Sequence, residues 1–482
     1  MSSIGPWSLA PEYARLVKRG SNHLQFPGVT TLTQALRALR AAVVALPSGL
    51  NHGPAFGSLD ALLLPLATGV DPDVVDAEIG SFWQELDHLA AGSATAVVGP
   101  ELTPVSEALL RAEREHGRTS EALLFVRPDP GRDDGLIQEA VHTLLATGRI
   151  HLADGRRDLA VVRGGSLAVP GGSLAALSAP GGEVPGGHQG LRLVPVGCGR
   201  SVPAGGGVHA VTVLDLVGTS GGLGPGGAPE YDGAPSARVP SESGLRPYLE
   251  SVLPVRVGRA LYRLRLLVRD RVEGSTFFED SWLVREGLVH RDRFTAVLEL
   301  AGVAEAARRA LGVDTASPEP ELIAEAALRI TDRVAELVAA ESLPYCDGTA
   351  GRAMLRGAAG TGLGAVFDPA DRSVPVDPGR LEPPPPRPYE GLRAAAPLSA
   401  MFPAGICEQV SLDPAVVENP RAAEDLLRGA LRVGVPEVAA SVAVDAGPVT
   451  PRVTGFYARR RDVVALREAA ARKVEEILGR RG

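Results

Sequence analysis

The sequence predicts an α/β protein, and three of its patterns support this class. Apolar residues recur at helical spacing through most of the first third of the chain and again after Leu245. Residues 191–196, 208–214 and 437–444 are instead short runs of apolar and β-branched residues, which are typical of strands. At 482 residues the chain exceeds the size of an average domain, but α/β barrels of such length commonly form one unit.

Capping residues, prolines in the first turn and apolar spacing predict the individual helices. Thr30 and Thr31 can cap a helix that carries Leu32, Leu36 and Leu39 on one face. Asp71 and Pro72 begin a second helix, and Asp413 and Pro414 begin one near the end. Further helices are predicted over residues 104–114, 134–147 and 321–341, the last with Leu322, Ala326, Ile330, Val334 and Leu337 in line.

Composition excludes several classes of function. The net charge is −8 and basic residues form no large cluster, so nucleic acid is not an expected partner. No apolar run is long enough to span a membrane, and no signal-peptide core is present near the start. Three widely separated cysteines, Cys198, Cys346 and Cys407, argue against a disulfide scaffold or a zinc site. A reducing, cytoplasmic location is expected.

Glycine-rich stretches interrupt the middle of the chain. Residues 164–190 and 218–244 are rich in Gly, Pro, Ser and Ala, which predicts surface connections. Residues 205–207 are three glycines, but a strand-like run follows them. A phosphate-binding glycine loop is followed by a helix, so nucleotide binding is not predicted there.

Cys198 occupies an unusual position between two strand-like runs. Gly197 and Gly199 flank it, and glycine lets other backbone approach closely. A lone cysteine is usually a small buried apolar residue. A Gly-Cys-Gly tip fills little core volume, however, and is better suited to present a sulfur atom.

The C-terminal segment contains a polar turn with one glycine, Gly455, within Arg-Val-Thr-Gly-Phe. By itself this is an ordinary turn glycine. An amphipathic helix is predicted after it, with Val463, Leu466, Ala470, Val474 and Ile477 on one face.

These and other short segments of the sequence, taken in order from about residue 8 to residue 470, resemble the YjjI-type branch of the glycyl radical enzyme superfamily. They include Pro11-Glu12-Tyr13, Leu59-Asp60-Ala61, Phe82-Trp83, Gly197-Cys198, Phe277-Phe278-Glu279, Arg352-Ala353-Met354 and Arg452-Val453-Thr454-Gly455-Phe456. The resemblance implies a ten-stranded α/β barrel of two five-stranded halves surrounded by helices. Residues 1–482 would be one domain, with 440–482 as the radical loop and its anchoring helix.

The resemblance also implies a mechanism. A backbone radical at Gly455, the only expected cofactor, would take a hydrogen atom from Cys198, and the resulting thiyl radical would attack a C–H bond of a small organic substrate. A radical-SAM activating enzyme would create the radical, and S-adenosylmethionine and the iron–sulfur cluster would belong to that partner. No resident metal or nucleotide is expected, and a homodimer is a possible assembly.

Three differences from the sequence motifs of related enzymes limit the reactions that are expected for this chain. No second cysteine adjoins Cys198, unlike pyruvate formate-lyases, and Cys198-Gly199-Arg200 lacks the acid of the Cys-x-Glu eliminases. No cysteine follows Cys407, whereas anaerobic ribonucleotide reductases carry a C-terminal zinc cluster. The reaction is therefore unassigned, with a lyase- or eliminase-like step expected.

Other polar residues have alternative interpretations. Arg200 is a candidate for binding a substrate carboxylate or phosphate, and His209 is either a barrel-lining residue or a packed strand histidine. Glu279 and Glu286 fit either barrel-end acids or surface charges. Cys346 and Cys407 are predicted to be structural.

Two other functions compete with the radical enzyme. The missing acid beside Cys198 is compatible with a barrel that has lost catalysis and serves as a binding or regulatory protein. A thiolate hydrolase that uses Cys198 and His209 is the third alternative.

Overall fold

The computed structural model describes residues 5–47, 50, 52–89, 94–117, 122–131, 135–155, 193–197, 199–216, 221–223, 229–231, 244–312, 320–357, 388–412 and 414–441. Cys198, Gly455 and the predicted C-terminal helix lie outside the described residues, as does the glycine-rich stretch at 164–190. Two short strands, Gly221–Leu223 and Pro229–Tyr231, lie within the other glycine-rich stretch, where only a connection was predicted.

Sixteen strands are present in the described part of the chain. In chain order they are β1 Ser8–Ala10, β2 Gly20–Ser21, β3 Phe26–Pro27, β4 Ala55–Phe56, β5 Thr95–Val98, β6 Leu123–Val126, β7 Ile150–Ala153, β8 Leu193–Gly197, β9 Arg200–Pro203, β10 Gly206–Asp215, β11 Gly221–Leu223, β12 Pro229–Tyr231, β13 Phe294–Ala301, β14 Ala353–Gly357, β15 Glu408–Ser411 and β16 Glu437–Ser441.

Ten of these strands form two sheets. The first sheet has the order β15-β16-β7-β6-β5-β4, and the second has the order β1-β10-β13-β14. Neighbouring strands are parallel except at β16–β7 and at β1–β10, where the pairs are antiparallel. Strands β5, β6 and β13 are almost wholly buried and apolar, as expected for parallel strands that are covered on both faces.

The described helices are α1 Tyr13–Arg19, α2 Leu32–Val44, α3 Leu59–Ala67, α4 Pro72–Leu89, α5 Pro104–His116, α6 Leu136–Thr147, α7 Leu245–Pro247, α8 Leu253–Glu273, α9 Phe277–Asp280, α10 Trp282–Arg285, α11 Val303–Leu311, α12 Pro320–Ala340, α13 Pro388–Ser399, α14 Pro414–Val417 and α15 Pro420–Arg432. None of them is long and apolar enough to cross a membrane.

Local sequence explains several helix starts. The Thr31 side chain accepts a hydrogen bond from the backbone N–H of Gln34, which confirms the predicted cap of α2. Thr103 and Ser106 exchange side-chain-to-backbone hydrogen bonds in a capping box before α5. These bonds satisfy N–H groups that a helix leaves without partners at its beginning.

Three of the five residues predicted on the apolar face of α12, Ala326, Ile330 and Val334, are buried, and Leu337 is partly buried against the same core, but the prediction for Leu322 is wrong. Leu322 is 40% exposed, whereas Ile323, Ile330, Val334 and Val338 are buried in the core that α12 shares with α8 and α11. Ile323 and Ile330 are seven residues apart, so they lie on one side of a helix as well as the predicted set does. Periodicity alone therefore could not choose between two overlapping apolar stripes.

One buried polar group ties three elements of the larger core together. The indole N–H of Trp83 on α4 donates a 2.9 Å hydrogen bond to Oε2 of Glu113 on α5. The guanidinium Nε of Arg149 lies 3.6 Å from the other carboxylate oxygen, and all three side chains are buried. A buried carboxylate needs such partners, because desolvation without compensation is costly.

Replacing Trp83 by Phe should therefore destabilise the protein by about 1–3 kcal/mol, since Glu113 loses a buried donor. Trp282→Phe is a matched control, because the Trp282 indole donates only to the part-buried carbonyl of Ala45. Thermal unfolding should show the larger loss of stability for Trp83→Phe. An equal or larger loss for Trp282→Phe would contradict this assignment.

Candidate active site

The β8–β9 hairpin places its tip against the strands of the first sheet. The backbone N–H of Ser201 donates to the carbonyl of Ala404 at 2.8 Å. A Cβ atom on Gly199, whose φ is +59°, would lie 2.8 Å from the backbone nitrogen of Cys407. A Cβ atom on Gly405, whose φ is +107°, would lie 2.6 Å from the carbonyl oxygen of Gly199. Only glycine permits both backbones to approach so closely.

A buried polar cluster lies beside this tip. The backbone N–H of Gly199 donates to Oε1 of Glu437 at 3.0 Å, and the same oxygen is 3.2 Å from Nδ1 of His151. The sulfur of Cys407 is 3.9 Å from that nitrogen. The side chains of Glu437, His151 and Cys407 are all buried.

Sheet geometry explains why these three residues meet. His151 lies on β7 and pairs with Ala439, whereas Glu437 pairs with Ala153, so both side chains are on one face of the β7–β16 pair. Glu408 pairs with Val438, and the same register places Cys407, just before β15, level with Glu437. Residues from three neighbouring strands thus converge at one sheet edge.

A second group of side chains contains two arginines, a glutamate and a histidine. Arg356 on β14 forms an ion pair with Glu299 on β13, and both are almost fully buried. Burial, and then the nearby Arg200, lowers the pKa of the Arg356 guanidinium well below its ordinary value. Burial, followed by the charges of Arg200 and Arg356, lowers the pKa of His52 to about 3. Arg200 and Arg356 thus act electrostatically on His52, which is neutral near pH 7.

His209 is buried in the middle of β10. Its Nε2 lies 2.8 Å from the carbonyl oxygen of Tyr345, so this nitrogen carries the proton and donates it. The ring stacks on Phe294 at a centroid distance of 4.7 Å and meets Phe278 edge-on at 5.9 Å. These contacts are those of a packed strand histidine, and its predicted contact with substrate stays a prediction.

The predicted site residues thus have different outcomes. Arg200 begins β9, two residues after Cys198, and Cys198 itself lies outside the described part of the chain, as does Gly455. Glu279 is exposed, and Glu286 accepts a hydrogen bond from the backbone of His23 near the surface. No local pattern indicated His151 or Glu437, because two residues 286 positions apart show no spacing pattern.

The buried environment of His209 has a measurable consequence for stability. Burial is the largest cause that lowers its pKa to about 4; the hydrogen bond to Tyr345 opposes this effect, and Arg291 and Arg271 add to it. In the unfolded chain a histidine titrates near 6.5. As the pH falls from 6.5 towards 4, the unfolded state therefore gains a proton that the folded state does not bind, and stability decreases by up to about 1.4 kcal/mol per pH unit.

His209→Gln removes this titration while keeping a side-chain donor for Tyr345. The difference in thermal midpoint between the wild type and His209→Gln should shrink between pH about 7.5 and about 5, because only the wild type loses this contribution. Other histidines such as His52 cancel in the comparison. A difference that is constant or that grows on acidification would show that His209 is not held neutral.

Comparison with known proteins identifies the family. The family model described as "Glycyl radical enzyme YjjI-like" matches residues 3–169 and 238–481. Gly455 lies within the second matched range. The interval between the two ranges contains Cys198, Arg200 and His209, so the match does not extend to those residues.

Two relatives match almost the whole of this chain and about four fifths of their own length. A protein of Escherichia coli (strain K12) called "Uncharacterized protein YjjI" is 27% identical over 478 residues, which cover 98% of this chain and 82% of the relative. An uncharacterized protein of Haemophilus influenzae (strain ATCC 51907 / DSM 11121 / KW20 / Rd) is 23% identical over 469 residues, 96% of this chain and 80% of that one.

Solved structures show the same fold at low identity. The anaerobic ribonucleotide reductase from Thermotoga maritima in complex with dATP and CTP has a TM-score of 0.58 and 12% identity, over 94% of this chain and 81% of that one. A glycyl radical enzyme from Archaeoglobus fulgidus has a TM-score of 0.57 and 12% identity, over 87% and 63% of the two chains. With most of the sequence matched by one family model and an α/β fold shared with these enzymes, the chain belongs to the YjjI-like family of glycyl radical enzymes.

Proposed function

We propose that this protein stores a radical on the α-carbon of Gly455 and uses it to generate a thiyl radical on Cys198. Membership of the family and the position of Gly455 within the matched range support the first part. The second part is supported by one observation: Gly199, bonded to Cys198, is buried and holds its N–H against the Glu437 carboxylate.

The proposed barrel would exclude water and oxygen from this site. Its ten strands would be those of the two sheets, with antiparallel junctions at β7–β16 and β1–β10. To close the barrel, the two sheets must also meet at β1 and β4 and at β14 and β15, and two observations support contact there. Ala10 of β1 and Ala55 of β4 share one apolar cluster. On the other side, Ala404 donates to the carbonyl of Leu355 and Gly357 donates to the carbonyl of Gly405, which joins β14 to the segment before β15.

The hydrogen-atom steps balance without another reagent. The Gly455 radical takes the hydrogen of the Cys198 S–H bond, which leaves a thiyl radical. That radical takes a hydrogen atom from a substrate C–H bond and becomes a thiol again. After the substrate radical has reacted, the product radical recovers a hydrogen atom from Cys198, and Gly455 returns one to the sulfur. Each transfer requires near contact, about 3–3.5 Å between the reacting atoms.

The charge near the site indicates the kind of substrate. Arg200 begins β9, two residues after Cys198, and its charge acts on the Arg356 guanidinium, which is paired with Glu299. A guanidinium binds a carboxylate or a phosphate through two parallel hydrogen bonds, so the proposed substrate is a small organic molecule that carries one of these groups and contacts Arg200. The bond that is broken is unassigned, and a lyase- or eliminase-like reaction is the proposed class.

A radical-SAM activating enzyme is the proposed partner. Anaerobic activation should give a glycine-centred doublet in electron paramagnetic resonance, because one α-hydrogen stays on Gly455 and splits the signal. Gly455→Ala should abolish the doublet, whereas Gly479→Ala, at the end of the predicted last helix, should retain it.

Cys198→Ala should retain the radical and lose turnover. Exposure of the activated protein to air should cut the chain at Gly455 and release residues 456–482.

The control variants separate the alternatives. A doublet that survives in Gly455→Ala would contradict the assignment of the radical. Absence of any doublet with an activase that is competent on another family member would instead favour the binding or regulatory barrel. Activity in air that alkylation of Cys198 destroys would favour the hydrolase.

A further inference from the structure

Three chemically different ligand groups converge on one buried point next to Gly199. They are the Nδ1 atom of His151, the thiol of Cys407 and the carboxylate of Glu437, and their ligand atoms all lie within 4.8 Å of one another. Each comes from or adjoins a different strand of the first sheet, so the backbone positions all three. The radical chemistry proposed above makes no use of Cys407.

The separations match those around a small divalent cation. Zinc binds histidine nitrogen at about 2.0–2.1 Å, thiolate at about 2.3 Å and carboxylate oxygen at about 2.0–2.2 Å. Tetrahedral angles then separate nitrogen from oxygen by about 3.3 Å and sulfur from nitrogen by about 3.6 Å. The observed distances are 3.2 Å from His151 Nδ1 to Glu437 Oε1 and 3.9 Å from His151 Nδ1 to Cys407 Sγ. The third separation, between the Cys407 sulfur and the Glu437 carboxylate, is at most 4.8 Å, so these two ligands would close by at most about 1.2 Å around an ion.

The arrangement differs from a nucleophilic triad. In a Cys-His-acid triad the thiol and the acid contact different ring nitrogens, so that the imidazole can pass a proton between them. Here the Cys407 sulfur and the Glu437 carboxylate both approach Nδ1. Convergence on a single nitrogen suits ligands that share one central ion.

Charge and surroundings also fit a cation. A Cys407 thiolate and the Glu437 carboxylate would together neutralise a divalent ion, which removes the cost of burying anionic ligands. Phe125 stacks on the His151 ring at a centroid distance of 4.7 Å, and the Gly199 N–H fixes one oxygen of Glu437. Such outer contacts orient metal ligands.

We propose that His151, Cys407 and Glu437 form a binding site for a borderline divalent transition-metal ion, with zinc as the preferred occupant. Mixed nitrogen, sulfur and oxygen ligands suit this class better than magnesium or calcium, which prefer oxygen alone. Three protein ligands leave the fourth tetrahedral position open, as in zinc sites that bind a water or substrate molecule. Zinc has no redox chemistry of its own, so it is compatible with a thiyl radical on Cys198, the residue bonded to Gly199.

The site is testable in the resting, full-length protein without any radical. Metal-free protein should bind about one equivalent of Zn²⁺. It should bind Co²⁺ with the visible bands of a tetrahedral ion and a near-ultraviolet thiolate-to-cobalt charge-transfer band. Cys407→Ala should abolish the charge-transfer band and weaken Zn²⁺ binding at least about 100-fold, since loss of an outer contact alone costs 10–100-fold. His151→Ala should weaken Zn²⁺ binding similarly.

Cys346→Ala is the matched control. Cys346 is also a buried free cysteine, but it lies in the core of α8, α11 and α12, and truncation leaves a void of the same size. The Cys346→Ala variant should bind Zn²⁺ and Co²⁺ like the wild type. Zn²⁺ should raise the thermal midpoint of the wild type and of Cys346→Ala but not that of Cys407→Ala. Failure of the wild type to bind Zn²⁺ or Co²⁺, or unchanged binding in Cys407→Ala, would overturn the proposal. Neither result bears on the Gly455 radical, which is observed separately.

Discussion

The candidate site depends on the close contact between the backbone of Gly199 and the chain around Gly405 and Cys407. A side chain on either glycine would meet backbone atoms at less than 3 Å, so neither position tolerates a Cβ atom without movement. This contact fixes the tip of the β8–β9 hairpin against the first sheet. It also brings the N–H of Gly199 to Glu437, a residue 238 positions away in sequence. A hydrogen-atom transfer that requires a fixed sulfur needs a constraint of this kind, because small displacements slow such steps strongly.

The buried nitrogen, sulfur and oxygen groups lie close together in the first sheet. His151 lies on β7, Cys407 just before β15 and Glu437 at the start of β16, beside buried apolar residues such as Phe125 and Val438. Rigid strands hold these groups more precisely than surface loops could. Arg356 and Glu299 on the second sheet form the other charged group, and their mutual pairing offsets the cost of burying each. The interior therefore contains both the Arg356–Glu299 ion pair and the cluster of His151, Cys407 and Glu437.

The sequence predicted elements whose signals are local. The cap at Thr31, the proline starts of α4 and α5 and the strand after Gly205 all depend on neighbouring residues, and each is present. The Gly-Cys-Gly pattern indicated that a hairpin tip would meet other backbone closely, and Gly199 does so. The cluster was not predictable from spacing, because His151, Cys407 and Glu437 meet only through strand order and register. Cys407 was interpreted as a packing residue for this reason, and its sulfur in fact lies beside an imidazole. Likewise, Leu322 and Ile323 are both apolar, and only tertiary packing decides which is buried.

The central claim is that Gly455 and Cys198 exchange a hydrogen atom. The direct measurement is the electron paramagnetic resonance spectrum of the activated protein after transfer into D₂O. A thiol hydrogen exchanges with solvent, so a thiol that passes hydrogen to and from Gly455 delivers deuterium to the α-carbon. The account predicts that the doublet collapses to a singlet in the wild type and persists in Cys198→Ala. A doublet that persists in the wild type, or that collapses equally in Cys198→Ala, would contradict it.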